Sequence, residues 1–165
     1  MKMESNLRVL RIIPALMAAF LASLPAYAKY DGGSGEPNDP YLIATAEELM
    51  LLGETPEDYD KHFIMTADID LDPNLPNRKV FDRAMIAPDT NDVEGGSQGI
   101  AFTGILDGNG HTISHLTIRG VSYLGLFGQT GSGARISNLG LEAVDVSGTG
   151  ENVGGLVGYR GSITN

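Results

Sequence analysis

The sequence predicts an all-β protein, a right-handed parallel β-helix-like solenoid of a few coils with one short N-terminal capping helix. Three observations carry that expectation. Similar short apolar stretches return at comparable intervals from Ile100 onward, a self-similarity that marks repeat architectures. Those stretches are too short for helices, and alternation such as Val144-Asp145-Val146 has the two-residue period of a strand. The 22 glycines, with no cysteine and no tryptophan in 165 residues, suit many short strands joined by tight turns.

The segment 1–28 stands apart from the fold. Lys2, Arg8 and Arg11 give a positive start, residues 12–24 are apolar, and Ala26-Tyr27-Ala28 supplies the small-x-small pattern of a cleavage site. This reads as a signal peptide cut after Ala28, because the apolar run falls short of the roughly 20 residues that a spanning helix needs. The expected location is outside the cytoplasm: periplasm, cell surface or medium. Residues 29–165 are enough for one domain. With eight basic and twenty acidic side chains left, that part carries a formal charge of −12. Nucleic acid and anionic membrane surfaces are thereby excluded as partners, since both need cationic patches; insertion into a membrane after signal cleavage is not expected either. An extracellular protein or glycan ligand is the expected partner.

Residues 29–40, rich in Gly, Ser, Pro, Asn and Asp, predict a flexible segment leading into the domain. Thr45-Ala46-Glu47-Glu48 forms a capping box, Leu49, Leu51 and Leu52 give an apolar side, and Gly53 is a suitable stop. A helix over residues 46–52 follows, placed to cover the first coil. Residues 62–67 and 69–71 predict strands, residues 84–87 a further one, and 73–79 and 88–99 surface loops. Residues 41–99 thus form an N-terminal leader, and residues 100–165 the repeats.

Within the repeats, Leu124-Gly125-Leu126-Phe127-Gly128 and Gly154-Gly155-Leu156-Val157-Gly158 lie thirty positions apart. A second unit recurs as Ile113-Ser114-His115-Leu116-Thr117-Ile118, Ile136-Ser137-Asn138-Leu139-Gly140-Leu141 and Ile163-Thr164-Asn165. Stacking such units buries a continuous interior and pairs each backbone with its neighbour. On this register His115, Asn138 and Asn165 fall in one column at a bend, where asparagine tolerates the left-handed conformation and stacked amides can bond along the column.

Gly154-Gly155-Leu156-Val157-Gly158 followed by Gly161-Ser162-Ile163-Thr164-Asn165 resembles the GLUG repeat of large bacterial surface proteins and of accessory regions in IgA1-specific metallopeptidases. The stretch upstream is similar to the leaders of such arrays: Gly35, Asp39 to Ile43, Thr45 to Leu49, Asp68 to Leu71, Phe102-Thr103-Gly104 and Leu106 to Ile113. Arg160 stands alone where the pattern has an Asn and a small residue, so the turn there departs from the family's. The resemblance implies a β-helix-like scaffold and no catalytic residues.

A search for chemistry returns turns and hydrated acids. Asp68, Asp70 and Asp72 have D-x-D-x-D spacing, but an EF-hand beginning at Asp68 would place Pro73 and Lys79 where Gly and Glu belong. Strand-end solvation is preferred there over a looser calcium site, and likewise for Asp89, Asp92 and Glu94. Asp107-Gly108-Asn109-Gly110-His111 reads as a turn. A glycosidase would need a second acid in the neighbouring coil, where residues 128–130 are expected, and Arg119 and Arg135 show no acidic partner column. His62, His111 and His115 are too scattered for zinc. No H-E-x-x-H or phosphate-loop lysine is present. No catalytic, cofactor-binding or metal-binding residue is assigned, and no cofactor is expected. The sequence therefore predicts a secreted, non-catalytic surface or adhesin-like module. The alternative is the N-terminal part of a polysaccharide lyase or glycosidase lacking its catalytic coils. A repeat interrupted at Asn165 further predicts an open last coil, from either a truncated product or an end that self-associates end to end.

Overall fold

The computed structural model describes residues 29–91 and 95–160. Residues 1–28, read from the sequence as a signal peptide, Asp92, Glu94 and the Ile163-Thr164-Asn165 unit lie outside them. The described residues are mostly strand and turn, with one short helix and one 3-10 turn at Pro56–Asp58. In chain order the strands are β1 (Tyr41–Ile43), β2 (His62–Met65), β3 (Ile69–Asp70), β4 (Ile105–Asp107), β5 (Thr112–Ser114), β6 (Thr117–Gly120), β7 (Phe127–Thr130), β8 (Arg135–Ser137), β9 (Gly140–Glu142), β10 (Asp145–Gly148) and β11 (Val157–Arg160). The helix α1 spans Ala46–Gly53.

Every pairing among these strands is parallel. One sheet has the order β1-β2-β4-β8, a second β3-β5-β9, and two more pair β6 with β10 and β7 with β11. From β4 onward the chain visits the four sheets in a fixed order, β4 to β7 and then β8 to β11. Single parallel bridges add Phe81 beside Ile118 and Ile86 beside Phe127. The expected strand at residues 84–87 is thus reduced to one bridge at Ile86. Sheet pairing runs across the boundary expected near residue 100, since β2 bonds β4 and β3 bonds β5.

The register explains the burial. Leu106 lies opposite both Phe63 and Ile136, Ile113 opposite Ile69 and Leu141, Ile118 opposite Val146, and Phe127 opposite Val157. Alternation along each strand turns these residues to one side. Phe63, Leu106, Ile113, Ile118 and Phe127 are at most 1% exposed. Phe102 joins them, with ring centroids 4.9 Å from Phe127, 6.2 Å from Tyr59 and 6.4 Å from Phe63. Strands this short bury little by themselves, so this shared apolar interior supplies the main driving force. The β8–β11 counterparts Ile136, Leu141, Val146 and Val157 pack against it but are only partly buried.

That register corrects the column drawn from the sequence. Ile113-Ser114-His115 pairs with Leu141-Glu142 and not with Ile136-Ser137, which instead lies beside Leu106-Asp107. His115 (φ 56°) follows β5 and Asn138 (φ 54°) follows β8, so they occupy two different corners. Ala143, also left-handed, is the residue that follows the β9 partner of β5. The similar units recur at successive corners of the chain, so aligning Ile113-Ser114-His115 with Ile136-Ser137-Asn138 mixes two corners.

The N-terminal side follows local rules. The Thr45 hydroxyl accepts from the Glu48 amide while the Glu48 carboxylate accepts from the Thr45 and Ala44 amides, the reciprocal pattern of a capping box. Ala46, Leu49 and Leu52 are buried. Replacing Thr45 with Ala is expected to cost about 1 kcal/mol, read from the chemical denaturation midpoint. Gly53 proves to be the last helical residue and not a left-handed stop. Its lack of a side chain matters because a methyl group there would overlap the Met85 carbonyl. Residues 30–40, expected to be flexible, are fastened. The Asp31 amide donates to the Leu42 carbonyl and the Leu42 amide to that of Gly32, Ser34 and Gly35 donate to the Asp39 carbonyl, and Tyr30 is buried.

Candidate functional site

The polar candidates from the sequence sit at the corners bordering β3 and β5. Ile69 and Leu71 point inward and are buried, so Asp68, Asp70 and Asp72 alternate outward. Each closes on its own surroundings. Asp68 Oδ1 accepts from the Thr112 amide at 2.9 Å and faces His111 Nδ1 at 3.1 Å. Asp70 Oδ1 accepts from the Asp72 amide at 2.9 Å and faces His115 Nδ1 at 2.9 Å. Asp72 Oδ1 accepts from the Asn74 amide and its side chain. Among the described residues no three His, Asp or Glu side chains gather as a metal-binding group. His62 lies in the first sheet, apart from His111 and His115 beside the second.

These pairings set the local electrostatics. The Asp72 amide, and then His115, hold the Asp70 carboxyl below its usual range, and the Thr112 amide with His111 does the same for Asp68. The hydrogen bond to Asp70 raises the His115 imidazole, with Asp72 and Glu142 adding to it. A raised folded-state value means that the His115 contribution is complete below the unfolded histidine value. It is lost as pH rises through the folded one. Proton-resolved titration of the ring is expected to show His115 ionising above an unfolded histidine, and Asp70→Asn to bring it back down. An unshifted ring in the parent protein would contradict the pairing.

Asp107 Oδ1 accepts from the Asn109 amide at 2.9 Å and from Asn138 Nδ2 at 2.9 Å. Its strand neighbours are Ile64 and Ser137, not residues 128–130 as the sequence register suggested. Neither neighbour is an acid. Arg119 requires a second correction: it has an acidic partner. Its guanidinium bonds Asp145 on the adjacent strand through both terminal nitrogens, with Nη1 to Oδ1 at 3.0 Å. Arg135 lies close enough to Asp107 to help lower that carboxyl, behind the bonds from Asn109 and Asn138.

The concave surface lies elsewhere, and no motif in the sequence marked it. An open groove of about 530 Å³ runs past Arg83, Arg119, Ser147 and Thr149. A neighbouring hollow of about 440 Å³ shares Asp82 and Arg83 with it and extends to Lys79 and the C-terminal end of α1. The third sheet builds the groove, since β6 and β10 place Arg119 beside Ser147 in register. Val121 is exposed along it and Val80 along the neighbouring hollow. The guanidinium groups of Arg83 and Arg119, the Asp82 carboxylate and the hydroxyls of Ser147 and Thr149 can exchange hydrogen bonds with a polar ligand. A signal did exist in the sequence: Arg119 and Asp145 are separated by nearly one repeat length.

Among the described residues no helix is long and apolar enough to cross a membrane. No family model matches the chain, and no solved structure matches it. The chain is similar to halomucin of Haloquadratum walsbyi, 33% identical over 139 residues, which cover 81% of this chain and 1% of that protein. It is also similar to a protein of Evansella cellulosilytica named as a Gly-rich membrane protein, 32% identical over 141 residues, covering 78% of this chain and 14% of the relative. The chain therefore spans only a small part of the length of these relatives.

Proposed function

We propose that this chain is a secreted, non-catalytic repeat scaffold of the GLUG type, working as a surface or adhesin-like binding module. The observation that carries this reading is the fixed order in which the chain visits four all-parallel sheets, with nearly constant spacing between paired positions from β5 to β11. That order supports a right-handed parallel β-helix-like solenoid, because parallel strands need a crossover and crossovers take that hand. Each corner acid named above is engaged by backbone or side-chain partners, which supports shaping over catalysis. The names of the two relatives, a mucin-like name and a membrane protein, favour a place at the cell surface. The open groove past Arg83 and Arg119 is the binding face, and a hydroxyl-rich glycan or a polar protein loop suits its mixed donors and acceptors. The apolar β8–β11 side favours contact with a further repeat or a second copy.

The test combines location and binding. Protease shaving of cells expressing the chain is expected to release it from the surface, with Lys29 as the first residue of the mature form. A glycan and matrix-protein array probed with that form is expected to give binders that Arg119→Ala weakens. Retention in the cytoplasm, or production of new reducing ends from a polysaccharide, would overturn the proposal.

A further inference from the structure

The groove over the third sheet carries two guanidinium groups in different states. Phe81 is bridged to Ile118 and Ile86 to Phe127, so Asp82 and Arg83 form an outward bend between two anchored positions. The bend sits directly on β6, where a β-carbon added at Gly120 would stand 2.5 Å from the Asp82 carbonyl. Arg83 is exposed, and its Nε donates to Asp82 Oδ1 at 3.2 Å. Its two terminal nitrogens make no hydrogen bond among the described residues. Arg119, by contrast, is held. Its Nη1 donates to the carbonyls of Ile118 and Asp145 and to Asp145 Oδ1, each at 3.0 Å, and its Nη2 to Asp145 Oδ2. Opposite them the Thr149 amide donates to the Gly120 carbonyl at 3.3 Å, which ties the end of β10 to β6.

The open fork of Arg83 selects the ligand. Two parallel N–H donors match a planar carboxylate, and such charge-assisted bonds are roughly twice as strong as neutral ones. The surrounding charges set how many carboxylates fit. Along the two hollows Lys79, Arg83 and Arg119 stand against Glu54 and Asp82, and Asp145 is already committed to Arg119. That near balance suits one carboxylate and not a polyanion, in keeping with the acidity of the chain. Ser147 and Thr149 add hydroxyls, and Val121 is the one apolar side chain larger than a methyl group that lines the groove. A protein partner needs an apolar centre to its interface, which a single valine does not make. A sugar ring needs hydroxyl partners and one small apolar contact.

We propose that the groove binds an acidic sugar, a uronic-acid residue whose carboxylate seats on the Arg83 fork while its hydroxyls bond Arg119, Ser147 and Thr149. This assignment rests on the groove being the binding face of the module. It narrows the ligand from polar groups in general to a ring with one carboxylate. Arg119 serves as the fixed wall: Asp145 pins it, and its Nε and one Nη2 proton are left for ligand oxygens.

Nuclear magnetic resonance titration of the labelled mature chain reads affinity and place together. The probes are methyl glucuronoside and methyl glucoside, which differ only in the carboxylate. The glucuronoside is expected to shift the Arg83 Nε and the Ser147 and Thr149 amides, and to bind at least about tenfold tighter than the glucoside. Arg83→Gln is expected to abolish that advantage, whereas Arg135→Gln, on the first sheet, keeps it. Should Arg83→Gln fail to give a folded spectrum, Arg83→Lys retains the charge without the fork and is expected to lose at least about threefold. Equal affinities for the two glycosides, with shifts in the groove, would overturn the acidic-sugar assignment and leave the binding face standing. An advantage undiminished in the folded Arg83 variants, or a triglutamate peptide binding as tightly as the glucuronoside, would overturn it too. Failure of the binding face itself looks different: neither sugar shifts the groove, and no array binder responds to Arg119→Ala.

Discussion

Replacing Phe102 with Ala is expected to lower stability by about 3–5 kcal/mol. The ring is fully buried and touches Phe63, Phe127 and Tyr59, so its removal opens a cavity between the first and fourth sheets. The flanking backbone is fixed by the Phe102 amide bonding the Gln129 carbonyl and the Thr103 and Gly104 amides bonding Tyr59, which limits collapse into the gap. Domains of this size are stable by only about 5–15 kcal/mol. A fall in Tm of about 10–20 °C is therefore expected in a thermal melt. Phe102→Leu, which refills most of the volume, should recover most of it; an unchanged melt for the alanine variant would contradict the described core.

The second large effect is expected at Gly104. A methyl group there would overlap the Lys61 carbonyl, the group that accepts from the Ile105 amide at 3.0 Å and starts the β2–β4 pairing. The obstacle is backbone, so no rotamer change relieves it. Gly104→Ala is expected to cost about 3 kcal/mol, the upper part of the range for overpacking. Gly110 is the control. It has φ +82° but open space around it, so Gly110→Ala should cost only the strain of a left-handed residue, about 1–2 kcal/mol. Urea midpoints of the two variants give the comparison, and equal costs would mean that the close approach at Gly104 is not limiting.

What could be read from the residues alone was the short-range part. The Thr45–Glu48 box and the β2 and β3 strands depend on neighbours within a few positions, and the structure has them where the sequence puts them. The all-β character followed from composition. The register did not, because Ile113-Ser114-His115-Leu116 and Ile136-Ser137-Asn138-Leu139 are alike while belonging to different corners. Only the pairing of Leu106 with Ile136 separates them. Arg119–Asp145 and the groove were missed for the same reason: each joins residues that become neighbours only after the register is set. Gly53 looked like a stop by position, whereas a distant carbonyl dictates it.

The described register also bears on how the chain can change over generations. Phe127 pairs with Val157 and Ile118 with Val146, partners of nearly equal separation along the chain. Phe63 with Leu106 and Ile69 with Ile113 are markedly further apart in sequence, yet they pair in the same way. The extra length leaves the partners in place, because it is spent between single bridges at Phe81, Ile86 and Phe102 and in surface stretches such as 72–80. Lengthening a surface segment is inexpensive, about 0.6 kcal/mol for each doubling. Insertions can therefore accumulate at one bend while the interior stays matched.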